Sequence, residues 1–551
     1  MGDNGTMMTG VESLRLPSAE VAAGYRAKGW WRDETFLDDL ARAVATRPDH
    51  PALIAYEGDT PRTISYRELS ELVERFAAAL LSLGVGRGDV VAMYLPNVWQ
   101  LTPLWLACGR IGAVGAAMFP SLEERELRFT LTTTEAPVCV SLDRIGDVDI
   151  AARVAAAAPD TVRHRVVIGT GSTADALDFT GYFLDTEHPA ADPALALRPD
   201  EPAALVSTSG TSGRMKAVAH TSNTLYAAAR AGAEPYGLGP DDVIVVPHPH
   251  LHMAGMTYGA LMPLQLNATW LIYDRPHDMA LLLDTVERHA VTWAYMAPGY
   301  LVDLVAAQRD RARDTRTLRR IVSGSAPLQP DLVESVRETF QVPVHALWGM
   351  TENAAVTMTR PDDPDDWATR SDGRAVPWME VRIDAEDGEE SGRLLVRGAS
   401  QCLGYLHQRD VYDASLDGDW FDTGDIARPD GRGGIRIVGR RSDLIIRSDG
   451  LKLPVLLVEG LLARHPGIKE LALVGYPDPA VPGAELCCAV VVPQGRPPTL
   501  AELHDTLAGT GCARAFWPDR VQFVWELPKN SVGKIQRAPL RRRLELAAAP
   551  R

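Results

Sequence analysis

Apolar strands and amphipathic helices alternate through most of the first 345 residues, and this alternation is the strongest constraint on the fold. SYRELSELVERFAAALLSLGV (65–85) opens on a Ser suited to capping and repeats apolar residues at steps of three and four, which predicts a helix. DVVAMYLP (89–96) reads as a buried strand, and LTPLWLACGRIGAVGAAMFP (101–120) repeats the helix-then-strand order. A second run from about 200 to 345 carries VIVVPHPH, ATWLIYD and LRRIVSGSAP between helices. Two α/β subdomains with largely parallel sheets follow. Between 375 and 438 the segments shorten to GRLLVRG, WFDTGDIA and GGIRIVG, which predicts a small β-rich subdomain. After GRRSD (439–443) the α/β rhythm resumes. The expected division is therefore 1–438 and 439–551, the second unit being a small α+β domain.

A chain of 551 residues is too long for one core. Its net charge of −16 argues against a nucleic-acid partner, because neutralising phosphates takes a basic face. Six cysteines lie scattered without CxxC spacing, which suits reduced thiols in a cytoplasm. No apolar run reaches the ~20 residues of a membrane span, and no secretory leader is expected. Lys is rare beside abundant Arg. It is confined to Lys28, Lys216, Lys452, Lys469, Lys529 and Lys534, and most of these fall within motifs.

STSGTSGRMKAVAHT (207–221) is a Ser/Thr/Gly-rich loop whose amides and hydroxyls can form a nest for a polyphosphate beside Lys216. It is not a Walker loop, since Ala217 rather than Ser or Thr follows the Lys. WGMTE (348–352), FDTGD (421–425), GRRSD (439–443) and LPKNSVGKIQR (527–537) follow in order. HPHLHMAG (248–255) places alternate histidines on one face, a pattern open to metal binding, yet no carboxylate or Cys accompanies them.

Together these motifs resemble the ANL superfamily of adenylate-forming enzymes, from about residue 35 to 545. YRAKGWWRDETFLDDL and ERELRF look closest to bacterial acyl-CoA ligases, including those for cyclohexanecarboxylate-like acids. The resemblance implies a large N-terminal AMP-binding domain and a small mobile C-terminal domain. It implies ATP, AMP, Mg2+ and coenzyme A as cofactors and co-substrates, with a small carboxylic acid or its acyl-adenylate as the other partner. A homodimer or a partner adenylating enzyme is compatible with it. The implied reaction is adenylate formation followed by acyl transfer to a thiol.

By similarity, Thr208, Ser209, Gly210, Thr211, Ser212, Gly213 and Lys216 cradle the phosphates. Thr351 bonds the α-phosphate, Glu352 holds the metal, and Lys534 bridges carboxylate and α-phosphate. Asp425 takes the ribose hydroxyls, assisted by Arg440. Ser325, Ala326 and Pro327 line the adenine with Trp348 against its ring, and Gly349 and Met350 belong to the nucleotide-binding set. His252 aligns with the gate of the acyl pocket, which Gly255, Tyr258, Gly259, Ser323, Gly324, Leu347 and Ala354 line. The small members of that set suggest a bulky, cyclic or aromatic acid. Ser442 occupies the hinge, Gly450 the close-approach position, and Arg447 and Lys452 face coenzyme A.

Two departures stand out. Met215 and Ala217 replace the expected Pro and Gly. If residue 217 needs positive φ, Ala costs about 1–2 kcal/mol and weakens adenylation. A divided-function enzyme acting on a preformed adenylate, and a ligase loading a carrier protein, are the alternatives.

Overall fold

A computed structural model describes residues 10–169, 175–209, 215–448, 452–479, 481, 484–529 and 535–548. Among these, strands form an eight-stranded and a nine-stranded sheet, each flanked by helices. The helix Tyr66–Ser82 is capped by Ser65, whose side chain accepts from the Glu68 amide. It buries Leu69, Leu72, Val73, Phe76 and Leu80 as one face. Strand Val90–Tyr94 is buried along its whole length, as a parallel strand covered on both faces must be.

The inner strands of both sheets are parallel, so their C-terminal ends share an edge. Asn97, just beyond Val90–Tyr94, joins these edges across the gap. Its amide donates to the His248 carbonyl at 3.2 Å and accepts from the His250 amide at 2.7 Å. Residues 248–250 follow strand Val243–Val245 of the other sheet. Ligand crevices in open α/β sheets form at such edges.

Strands within residues 379–398 and 416–440 build the expected β-rich subdomain, a five-stranded antiparallel sheet, while Gly404–Tyr405 between them joins the edge of the eight-stranded sheet. Further on, Ile468–Pro477 pairs antiparallel with Glu485–Pro493, which pairs parallel with Arg520–Phe523. Alternation along Ile468–Pro477 divides its side chains between two cores. Leu471 and Leu473 pack with helices Val455–Leu462 and Leu500–Gly509, while Ala472 and Val474 pack with Leu540 and Leu544. No helix among the described residues is long and apolar enough to cross a membrane.

Candidate functional site

The WGMTE motif folds as a hairpin between strands Val344–Met350 and Ala354–Met358, with Thr351 and Glu352 at its tip. Gly349 makes the closure possible: a Cβ there would stand 1.8 Å from the Ala354 carbonyl oxygen. Two groups hold the tip. His220 Nε2 donates to the Thr351 carbonyl at 2.8 Å, leaving Nδ1 beside Thr224 Oγ1 at 3.1 Å. Burial pushes the His220 imidazole down to about 4, so it is neutral at physiological pH. Tyr405 Oη donates to Glu352 Oε1 at 2.8 Å.

Lys216 reaches the same Tyr405. Its Nζ lies 3.3 Å from the hydroxyl and 4.3 Å from the ring centroid. Burial and the Glu352 carboxylate push the Tyr405 phenol far above its usual range. Lys216, Tyr405 and Glu352 thus form one chain of contacts from strand Met215–Thr221 to the hairpin tip.

Ala217 and Met215 lie in regular extended backbone. Strand Met215–Thr221 pairs with Pro202–Ser209, Ala217 opposite Ser207, and with Gly404–Tyr405 on its other side. The Ala217 carbonyl accepts from the Leu406 amide at 2.9 Å, and the Met215 carbonyl accepts from Gln408 at 3.1 Å. Residue 217 is not among the positive-φ positions. The expected strain is absent, because the left-handed geometry that would favour Gly does not occur there.

Strands Trp420–Pro429 and Ile435–Arg440 form a hairpin whose register sets Asp425 opposite Arg440. Arg440 Nε lies 2.9 Å from Asp425 Oδ1, and Trp348 Nε1 donates to Oδ2 at 3.2 Å. Asp425 is 3% exposed, a buried carboxylate whose two oxygens each meet one of these donors. Trp348, half-buried, therefore meets Asp425 through its indole N–H. Ser325 and Ala326 are exposed and Pro327 half-buried, and Ser325 adopts a positive φ of 72°.

The residues predicted to line an acyl pocket lie around residues 248–259, but their small size has another cause. A Cβ on Gly255 would meet the Pro249 carbonyl at 2.1 Å. One on Gly259 would meet His250 Nε2 at 2.8 Å, and one on Gly324 the Leu347 carbonyl and Tyr295 Oη, both at 2.5 Å. Protein atoms fill the room these glycines leave, so their smallness is no measure of the acid. Tyr258 is buried with its ring 5.2 Å from that of Tyr295. Leu347, Ser323 and Ala354 are buried too, Ala354 with φ 49°. His252 caps helix Met253–Met256, its Nδ1 accepting from the Ala254 amide at 3.2 Å, and its ring lies 6.3 Å from Phe119.

Arg447 departs from expectation. Its guanidinium is directed into the C-terminal unit, bound to the Asp519 carboxylate and the Trp517 carbonyl. These bonds tie it into the packing of that unit. Ser442 is exposed, in a short turn at 441–443, and Lys452 lies in the two-residue strand Lys452–Leu453. Thr208 is half-buried near the end of its strand, and Ser209 ends that strand. Gly210, Thr211, Ser212, Gly213, Gly450 and Lys534, expected in the site, lie outside the described residues.

Sequence reasoning missed His220, Tyr405, Asn97 and Arg537. Arg537 binds both Glu459 oxygens at 2.7 and 2.8 Å and lies 3.3 Å from Asp443. His220 closes the quoted KAVAH run and Arg537 closes KIQR, so both were visible as motif residues without assigned partners.

Among the described residues, no group of three or more His, Cys, Asp or Glu side chains is placed to hold a metal by itself. Glu352 with the Thr351 hydroxyl offers hard oxygen donors, which suit magnesium shared with substrate phosphates.

The profile of the AMP-binding enzyme family matches residues 40–406, and that of the AMP-binding enzyme C-terminal domain matches 457–534. The chain is 30% identical over 542 residues to a salicylyl-CoA synthase / salicylate adenylyltransferase of a Streptomyces species, covering 95% of this chain and 96% of that protein. It is 32% identical over 550 residues to a salicyl-AMP ligase / salicyl-S-ArCP synthetase of Mycobacterium tuberculosis, covering 97% and 94%. Its fold is similar to that of an anthranilate CoA ligase, AuaEII, with a TM-score of 0.84 at 24% identity, covering 94% and 98%.

Proposed function

The chain belongs to the AMP-binding enzyme family, in the acyl-CoA ligase branch of the adenylate-forming superfamily, and from that premise we propose that it activates a ring-bearing carboxylic acid and delivers it to coenzyme A. The observation that carries this reading is the continuous set of contacts Lys216–Tyr405–Glu352, flanked by His220–Thr351 and by Asp425–Arg440–Trp348. The named relatives act on salicylate, which supports an aromatic acid.

A carboxylate attacking the α-phosphate of ATP meets charge repulsion, so catalysis rests on orientation and charge stabilisation. In this reading Lys216 neutralises the outer phosphates. Thr351 offers its hydroxyl to the α-phosphate from a hairpin fixed by His220. Asp425, held by Arg440 and Trp348, takes the ribose hydroxyls. Glu352 holds magnesium, which supplies charge neutralisation when bound. Ser325 to Pro327 and Gly349 to Met350 flank the adenine, and His252 gates the acid. A C-terminal domain from residue 439, turning about Ser442, brings Lys534 in for the first step and withdraws it for the second. A Cβ on Gly460 would stand 3.1 Å from Gln329 Oε1, so that domain already packs beside the turn after Pro327.

Pyrophosphate exchange across a panel of aromatic acids tests the first half-reaction, and thioester formation from synthetic acyl-adenylate tests the second. Exchange with an aromatic acid, followed by its CoA thioester, supports the reading. Transfer to a carrier protein and not to coenzyme A overturns the choice of thiol. The carrier alternative is motivated by the mycobacterial relative, named for an ArCP thioester.

A further inference from the structure

His248 lies in the crevice where the two sheets meet, fixed by the Asn97 bond to its carbonyl. Its side chain is fully buried, and neither ring nitrogen has a protein partner within hydrogen-bonding distance. Its ring centroid lies 5.1 Å from Tyr295, 5.3 Å from Tyr300 and 6.0 Å from His252. The Tyr300 hydroxyl is also buried without a hydrogen-bond partner. Native chains rarely leave buried polar groups unpaired, because each one loses its water without recovering a bond.

The chemistry of the pair is specific. Burial, together with the neighbouring His252, His250 and His277, holds His248 far below its usual range, so the ring is neutral. A neutral imidazole has one donor and one acceptor nitrogen, and a phenol does both. Such a pair complements a hydroxyl or amino group on a ring, and an anionic substituent less well.

We propose that His248 and Tyr300 determine specificity by hydrogen-bonding a hydroxyl or amino substituent on the ring of the acid. This rests on the reading that the acid occupies the crevice beside residues 248–259. A site built to bond such a group discriminates strongly against the analogue that lacks it, because its own polar atoms are then left unpaired.

The test is kcat/KM for pyrophosphate exchange with benzoate and with its hydroxy and amino derivatives at each ring position. Wild-type enzyme is expected to prefer one derivative over benzoate by about 10- to 100-fold. In His248→Leu that ratio should collapse to within about threefold of unity, with His248→Asn restoring part of it. Tyr300→Phe removes only a hydroxyl and should lower the ratio about three- to tenfold, which keeps the test open if His248→Leu folds poorly. Equal losses for benzoate and derivative in both variants, or a wild-type preference for benzoate, overturn the proposal. If no acid supports exchange, the ligase reading fails and this inference falls with it. Exchange with an unaltered substituent preference in the variants sinks the inference alone.

Discussion

Ala217 shows why a substitution in a motif must be judged by its backbone. In the sequence it stands where Gly is expected, and a left-handed residue there would tax the phosphate loop. In the structure it is an extended residue between two strands, with its carbonyl bonded to Leu406. Ala217→Gly is therefore expected to give no gain in pyrophosphate exchange and to lose about 0.5–1 kcal/mol of stability, the cost of Gly within a strand. A tenfold gain in exchange would restore the strain argument. Tyr405 carries the opposite lesson, since a residue given no role joins Lys216 to Glu352. Hydrogen bonds to charged groups contribute roughly 1.5–3 kcal/mol. Tyr405→Phe should lower exchange about 10- to 100-fold yet spare thioester formation from supplied adenylate. Equal losses in both assays would mean that Tyr405 serves folding alone.

At the scale of elements, Arg447 belongs to the packing of the C-terminal unit. Its partner Asp519 also accepts from the Cys487 amide at 2.6 Å, so one carboxylate ties three segments together. Asp519 is about one-third exposed, which discounts the pair below a fully buried one. Arg447→Leu should cost roughly 1–3 kcal/mol in unfolding experiments and leave the KM for coenzyme A unaltered. A tenfold rise in that KM with an unmoved melting temperature would return Arg447 to phosphate binding. The strand-and-helix rhythm was legible because periodicity reports burial locally, as in Val90–Tyr94 and Tyr66–Ser82. The Asp425–Arg440 hairpin was legible for a similar reason, its two motifs being close in sequence. Arg447 could not be placed, since its partner lies 72 residues away. The Tyr405–Glu352 and Asn97–His248 contacts are equally non-local, joining strands of different sheets and subdomains. The pocket glycines misled because a missing side chain looks the same whether a ligand or a neighbouring carbonyl occupies the space.

Across the whole molecule, buried neutral histidines couple the site to the stability of the fold. Burial lowers His220 and His250 to about 4. The unfolded chain, with ordinary imidazoles near 6.5, binds more protons than the folded one within that interval. Stability therefore rises with pH from about 4 to 6.5 and is lost as pH falls through this window. Denaturant midpoints measured across it should fall steadily toward acid, and His220→Asn should flatten the slope. A profile flat between pH 6.5 and 4 would contradict the assigned burial. Arg537 works at the same scale, binding Glu459 and Asp443 so that the last helix, the C-terminal core and the turn at 441–443 stay joined. Acid-dependent pyrophosphate exchange with the full-length enzyme, using aromatic acids, tests the central claim most directly. The account predicts exchange with at least one of them, followed by AMP release when coenzyme A is added. Thioester formation from a supplied acyl-adenylate, with no exchange for any acid, would contradict it.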